Sequence, residues 1–105
     1  MKGGCQNILL DVDLTDRRVG TRRLDERTER LFIGGKGVGA KILYDELKPR
    51  LDPLDPKNLL VFSTGPLTGT AAPSSGRWAV VTKSPLTGLF LDSQVGGFVG
   101  AQIKL

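Results

Sequence analysis

Glycine and proline residues divide this chain into short segments, and that division restricts the folds open to it. The 105 residues include 14 glycines and 6 prolines, about a fifth of the chain. Both residue types weaken long helices, because glycine loses much backbone entropy on folding and proline lacks an amide hydrogen. They fall at turns without a repeating period, which argues against a helical bundle, a collagen-like chain and a low-complexity chain. The sequence therefore predicts one small domain built from short elements.

Apolar periodicity predicts an α+β fold with a mixed or antiparallel sheet and two to three short helices. Residues 7–14 place every second side chain on one apolar face, which is typical of a half-buried strand, and Thr15-Asp16 turns the chain into a second strand. Apolar runs bounded by glycine and proline predict further strands at 58–65, 77–84 and 88–92, the first of them well buried. The repeated PLTG at 66–69 and 85–88 predicts two similar turns, with positive φ at each glycine.

Three short helices are predicted between and after these strands. Asp25 can N-cap the first helix, which runs through Phe32 and stops at the glycine pair 34–35. Apolar residues at helical spacing predict a second helix directly after this pair, ended by Pro49. The last helix is predicted to begin at Gly97.

Three glycine-rich segments are candidates for ligand binding. Residues 35–40 fit G-x-G-x-x-G/A at a helix start, but the preceding segment is charged and helix-like, so close helix packing is the alternative interpretation. The long loop 64–77 ends at Arg77, whose guanidinium can bind phosphate or carboxylate; a plain surface loop is its alternative. Residues 92–97 form a strand-to-helix junction with free amides. A hairpin around 84–88 would bring Arg77 to this junction, which favours a phosphorylated ligand.

The chain has no histidine and a single cysteine, Cys5. A disulfide within the chain and a multi-cysteine metal cluster within one copy are therefore excluded. The usual general base and the commonest metal ligand are also missing, so any catalysis by this chain alone would need carboxylates, lysine or arginine. We expect Cys5 to be a bystander thiol, and no residue is assigned a catalytic or metal-ligating role.

The charge balance of 15 basic and 11 acidic residues gives a net charge of +4, which suits an anionic partner. The arginines of 17–30 alternate with acidic residues, which is typical of a solvated surface, and no nucleic-acid recognition motif accompanies them. We therefore expect no nucleic-acid partner. No run approaches the roughly 18 apolar residues of a membrane span, and acidic residues follow the start too soon for a signal peptide. The expected location is the cytoplasm.

Long motifs in the candidate segments resemble the N-terminal domain of the aldehyde ferredoxin oxidoreductase family, the tungsten enzymes. The matching segments are FIGGKGVGAKILYDEL, LDPLDPKN, GPLTGTAAPSSGRW, VVTKSPLTG and VGGFVGAQIK. In order and spacing they cover nearly the whole chain. The pair GPLTGTxAPxxGR and VVTKSPLTG is far more specific than an isolated glycine motif.

The resemblance implies a cytoplasmic enzyme that oxidises an aldehyde to a carboxylate and passes electrons to ferredoxin. Tungsten, or molybdenum, is carried there by two pterin dithiolenes whose phosphates are linked by magnesium. The family's N-terminal domain is an α+β unit with pseudo-twofold repeats that cradles this bis-pterin group. Its cofactor contacts map onto Arg77 and onto Gln94, Val95, Gly96 and Gly97. Family members often carry Asn-Ser where this chain has Gln94-Val95, so backbone contacts are expected to persist there better than side-chain contacts.

In length the chain resembles only the first half of the family's N-terminal domain, so residues 1–105 are expected to form a partial cofactor-cradling domain. The cysteines of the 4Fe-4S cluster and the catalytic acid and histidine belong to later domains of the family. The chain is therefore expected to be a fragment or subunit that contributes part of the cofactor site, completed by a partner chain. The alternative is a non-catalytic assembly module, in which two copies pair and mimic the complete domain.

Overall fold

Two antiparallel sheets and three helices make up the fold in the computed structural model, which describes residues 4–105. Strands β1 (Ile8–Asp13) and β2 (Arg18–Arg23) form a hairpin, followed by helices α1 (Glu26–Phe32) and α2 (Gly35–Glu46). Strands β3 (Leu60–Thr64), β4 (Trp78–Lys83) and β5 (Phe90–Val95) form the second sheet in that order, and helix α3 (Val99–Lys104) follows. The predicted α+β class is confirmed, with every strand pair antiparallel.

Helix α2 covers one face of the three-stranded sheet and forms the core with it. Leu43 packs against Val81, whose side chain is fully buried on β4. Gly39 allows this close approach, because a Cβ there would lie 2.7 Å from Cγ2 of Val81. A Cβ at Gly37 would overlap the carbonyl oxygen that ends α1. The close-packing interpretation of 35–40 is therefore confirmed for these two glycines.

Local signals at helix starts and turns were predicted correctly. The Asp25 carboxylate accepts a hydrogen bond from the Thr28 amide at 2.9 Å and so caps α1. This interaction with Thr28 holds the pKa of Asp25 below its ordinary value. The two PLTG segments both form turns, and φ is 74° at Gly69 and 70° at Gly88. Glycine is favoured at both positions because a Cβ strains this backbone conformation.

The apolar faces of the hairpin and of β3 are more exposed than predicted. Ile8 and Leu10 on β1 are 62% and 64% exposed, and Leu60 and Phe62 on β3 are 58% and 52% exposed. The predictions of a half-buried first strand and a well-buried strand at 58–65 are therefore wrong for this chain by itself. The physical reason is that the described elements leave these faces largely open, with α3 packed only near Trp78 at one end of the sheet, although alternation of residues placed the apolar side chains correctly on one side.

The junction predicted at 92–97, between β5 and α3, also differs from its prediction. Strand β5 continues through Gln94 and Val95, which pair with Ala79 and Trp78, so these two residues belong to the sheet and not to a loop. The polar, glycine-rich segment 92–97 was predicted to be a strand-to-helix junction, yet β5 is an edge strand whose residues 92–95 stay exposed to solvent, so polar side chains are tolerated there. Helix α3 begins at Val99 and not at Gly97, where φ is 93° and incompatible with a helix.

Candidate functional site

A cleft of about 420 Å³ lies at one end of the three-stranded sheet, where β3 ends and β4 begins. Its walls are the connection between α1 and α2, the loop after β3, and the paired ends of β4 and β5. Its polar lining residues are Lys36, Thr68, Ser75, Arg77 and Gln94. The remaining lining residues are Ile33, Pro66, Leu67, Trp78, Ala79, Gly34, Gly35 and Gly65.

The lining combines positive charge with apolar surface. Lys36 and Arg77 are its two cations, and it includes no carboxylate among the residues that the structure describes. Arg77 makes no ion pair within residues 4–105. Trp78, whose ring stacks on Phe62, is also a lining residue, and a ligand with an anionic group and an apolar part therefore matches this lining.

A buried threonine connects the loop after β3 to the residue that carries the guanidinium. The Thr68 hydroxyl accepts a hydrogen bond from the Gly65 amide at 3.1 Å and donates one to the Arg77 carbonyl at 2.8 Å. Thr68 is 3% exposed, so both bonds lie out of water. This arrangement holds the backbone at Arg77 against the start of the loop, while the Arg77 side chain stays exposed.

Lys104 fixes the same loop from the other side. Its ammonium group donates to three backbone carbonyls, those of Gly65 at 3.0 Å, Pro66 at 2.8 Å and Thr68 at 2.7 Å. Helix α3 can approach because Gly100 has no side chain: a Cβ there would lie 3.0 Å from the Trp78 ring. The last helix therefore stabilises one wall of the cleft.

Replacing Lys104 by methionine is expected to lower the free energy of unfolding by about 2 kcal/mol, because three carbonyls lose a charged donor. Urea unfolding followed by circular dichroism measures the change. Lys57→Met is the control, since Lys57 is exposed and its ammonium makes no hydrogen bond within residues 4–105. Equal unfolding midpoints for the two variants would show that the three carbonyl bonds contribute nothing.

Arg77 lies close to the glycine-rich junction, as the sequence predicted. Trp78 pairs with Val95, so Arg77 lies beside Gly96 at the end of the β4–β5 pair. The backbones approach closely, since a Cβ at Gly76 would lie 2.6 Å from the Gly97 carbonyl oxygen.

Only some of the predicted site residues reach the cleft itself. Arg77 and Gln94 line it, whereas Val95, Gly96 and Gly97 lie next to it without lining it. The sequence reasoning missed Lys36 as a site residue. Its position inside the glycine motif 35–40 was the available signal, but the motif was weighed for its glycines alone.

The α1–α2 connection contributes an unusual backbone to the cleft. Ile33 has a φ of 65°, a left-handed conformation that is strained for a β-branched residue. Its amide hydrogen-bonds to the Glu29 carbonyl at 2.8 Å, which closes the last turn of α1. The strained turn places Gly34 and Gly35 in the cleft wall.

Cys5 interacts with a buried carboxylate away from the cleft. Its thiol donates to Glu29, which is 1% exposed, and this bond holds the pKa of Glu29 below its ordinary value. Burial, followed by the interaction with Glu29, raises the pKa of the Cys5 thiol. Cys5 is thus a free, partly buried thiol with a carboxylate neighbour, and its interpretation as a bystander stays a prediction.

The described residues show neither a metal-binding cluster of acidic, cysteine or histidine side chains nor a helix that could span a membrane. Within residues 4–105, no group of three or more histidine, cysteine, aspartate or glutamate side chains is arranged to hold a metal ion. In the same part of the chain, every helix is too short or too polar to cross a bilayer.

The sequence and the fold both match known proteins. The family model described as aldehyde ferredoxin oxidoreductase, N-terminal domain, matches residues 9–105. The tungsten-containing aldehyde ferredoxin oxidoreductases of Pyrococcus abyssi and Pyrococcus horikoshii are 44% and 43% identical over 96 residues, which is 91% of this chain. The solved active site complex BamBC of benzoyl coenzyme A reductase with 1,5-dienoyl-CoA is 39% identical with a TM-score of 0.95 over 99% of this chain.

These matches cover a small part of the other proteins. The chain spans 16% of the length of both Pyrococcus enzymes and 16% of the matched chain of the solved complex. Nearly all of this chain aligns with that part of the relatives, and its fold superposes closely on the solved structure. The chain belongs to the family of the aldehyde ferredoxin oxidoreductase N-terminal domain.

Proposed function

We propose that this chain supplies one wall of a tungsten or molybdenum bis-pterin site in an aldehyde-oxidising, ferredoxin-linked oxidoreductase. The observation that carries the proposal is the lining of the cleft, in which two cations and Trp78 stand beside glycine backbone, with no carboxylate among the lining residues that the structure describes. Tungsten-containing relatives at 44% identity support the identity of the metal. Phosphate esters on a flat heterocycle are the class of ligand that this combination suits.

The residues at this end of the sheet fit such a group. Arg77 and Lys36 carry the charge that phosphates require. A Cβ at Gly96 would meet no atom within 4 Å, so a ligand can approach the backbone there. The Trp78 indole nitrogen is buried without a hydrogen-bond partner among residues 4–105, which leaves one donor for a ligand.

In this proposal each residue has a binding or positioning role. Arg77 would bind a phosphate of the pterin group, whose second phosphate and magnesium would be held outside this chain's described residues or by a partner. Gln94 and the backbone of 95–97 contact the pterin, while Thr68 holds Arg77 in place through its carbonyl. The group supplies the two-electron oxidation of aldehyde to carboxylate when it is bound. The 4Fe-4S cluster, the catalytic acid and the contact with ferredoxin come from sequence outside this chain.

The direct test is the metal and pterin content of the chain purified anaerobically from its own source. Mass spectrometry for tungsten and molybdenum, and fluorescence of the oxidised pterin, measure the two components separately. We expect near-stoichiometric metal with two pterins per site, in the chain itself or in its complex with a partner. A folded chain that carries neither, alone and in complex, would contradict the proposal.

A second candidate function is assembly, and the exposed apolar faces favour it. Leu60 and Phe62 on the sheet and Ile8, Leu10 and Val12 on the hairpin are each more than half exposed. The hairpin's outer edges are also unpaired within the described residues. In this case two copies pair through these faces and form a complete domain without catalysis.

Light scattering after size exclusion tests the assembly role. The assembly role predicts a mass of about twice the 11.3 kDa of one chain, and Leu60→Lys is expected to return the protein to a monomer. Leu86→Lys is the matched control, because Leu86 is 93% exposed in the turn between β4 and β5, away from both faces. A wild-type chain that is a stable monomer would exclude this role.

A further inference from the structure

We infer that Lys36 and Asp92 form an exchange pair at the rim of the cleft: Lys36 leaves Asp92 and binds the ligand's anionic group together with Arg77. The inference rests on the proposed function and adds a second binding residue to it. It concerns a lysine of the glycine motif that the sequence reasoning did not single out.

The contact between the two side chains is weak. The Lys36 ammonium nitrogen lies 3.9 Å from Oδ2 of Asp92, which is too long for a hydrogen bond. The Lys36 side chain is 60% exposed, so water competes for its charge. Exposed ion pairs of this kind contribute little to stability, and an anion can displace the carboxylate at low cost.

Another lysine of the same helix shows the contrast. Lys41 donates to Asp45 at 2.6 Å, four residues along α2, and its side chain is 30% exposed. That pair has the spacing and geometry of a stable surface ion pair. Lys36 has no such partner on its own helix, and it is the lysine of α2 that lines the cleft.

The register of β5 explains how one lysine can serve both partners. Asp92 pairs with Val81 and Gln94 with Ala79, so both lie on the face that α2 covers. Gln94 lines the cleft and Asp92, two residues earlier, does not. Lys36 therefore lines the same cleft as Arg77 and at the same time contacts a carboxylate that does not line it.

A ligand with more than one negative charge should displace Asp92 from Lys36. A phosphate or diphosphate presents several anionic oxygens to Lys36 and Arg77, whereas Asp92 offers Lys36 a single carboxylate. Asp92 keeps the rim closer to neutral before binding. It also repels an arriving anion, so its removal has a direct effect besides the release of Lys36.

The test is a calorimetric titration with inorganic pyrophosphate at low ionic strength. We expect Lys36→Gln to weaken binding about tenfold and Asp92→Asn to tighten it about threefold. In the double variant, the gain from Asp92→Asn is expected to fall below 1.5-fold, because no lysine remains to be released. Lys41→Gln is the matched control for charge and helix, and we expect its dissociation constant within twofold of the wild-type value.

Each outcome has a defined meaning. An equal gain from Asp92→Asn in the presence and absence of Lys36 overturns the exchange, because only the direct repulsion would remain. Loss of binding in Arg77→Ala without any loss in Lys36→Gln overturns the inference and leaves the proposed function standing. A wild-type chain that binds neither pyrophosphate nor a pterin phosphate overturns both. Thermal unfolding of each variant verifies that the change in binding does not come from misfolding.

Discussion

Arg77→Ala is expected to weaken the binding of pyrophosphate, and of pterin phosphate, by roughly 10- to 150-fold. The exposed Arg77 guanidinium has no ion pair to break within the described residues, so its charge is available to a ligand. Hydrogen bonds between charged groups contribute about 1.5–3 kcal/mol, and that energy corresponds to the stated loss. Isothermal calorimetry at one fixed salt concentration measures it.

Arg23→Ala is the matched control for this prediction. It removes the same side chain and the same charge from the exposed end of β2, and Arg23 does not line the cleft. A general loss of positive potential would weaken binding equally in both variants, because long-range attraction depends on net charge and not on position. Binding that is equally weak in Arg77→Ala and Arg23→Ala would therefore remove Arg77 from the site. Higher salt should reduce the affinity of the wild type and leave this ranking unchanged.

Much of the fold was predictable because its signals are local. The cap at Asp25 and the turns at Gly69 and Gly88 depend on residues within a few positions of one another, and all three are present. The packing of α2 was predictable from its spacing, since Val38 and Ile42 are both buried. Local backbone chemistry decides such features before any long-range contact forms.

The incorrect predictions concern features that depend on residues far away in the sequence but close in the fold. Alternation showed that Leu10 and Leu60 share apolar faces with their neighbours, but burial also requires a covering element, and both side chains stay more than half exposed among residues 4–105. Gln94 was predicted to lie in a strand-to-helix junction because its neighbours are polar, yet it pairs with Ala79 in β5, where the edge position makes polar side chains acceptable. Lys36 became a candidate only when the sheet and α2 placed it beside the same cleft as Arg77.

The second large effect is expected at Gly76, the residue before Arg77. Gly76→Ala should lower the free energy of unfolding by about 2 kcal/mol, a typical cost of overpacking, and weaken pyrophosphate binding at least fivefold. A Cβ at this position would lie 2.6 Å from the Gly97 carbonyl oxygen, and backbone on one side must move to remove the overlap. That movement displaces Arg77 relative to the junction. Urea unfolding and calorimetry measure the two effects independently.

Gly96→Ala separates this close approach from the general cost of adding a methyl group. Gly96 lies one residue before the Gly97 carbonyl, but a Cβ there would meet nothing within 4 Å, so stability should change by less than about 0.5 kcal/mol. If the ligand approaches this open backbone, Gly96→Ala weakens binding while it leaves stability intact. Unchanged stability and binding in Gly76→Ala would show that contact between the two segments does not position Arg77. Loss of both in Gly76→Ala, with stability retained in Gly96→Ala, identifies the backbone contact between Gly76 and Gly97 as what holds the cleft's cation in place.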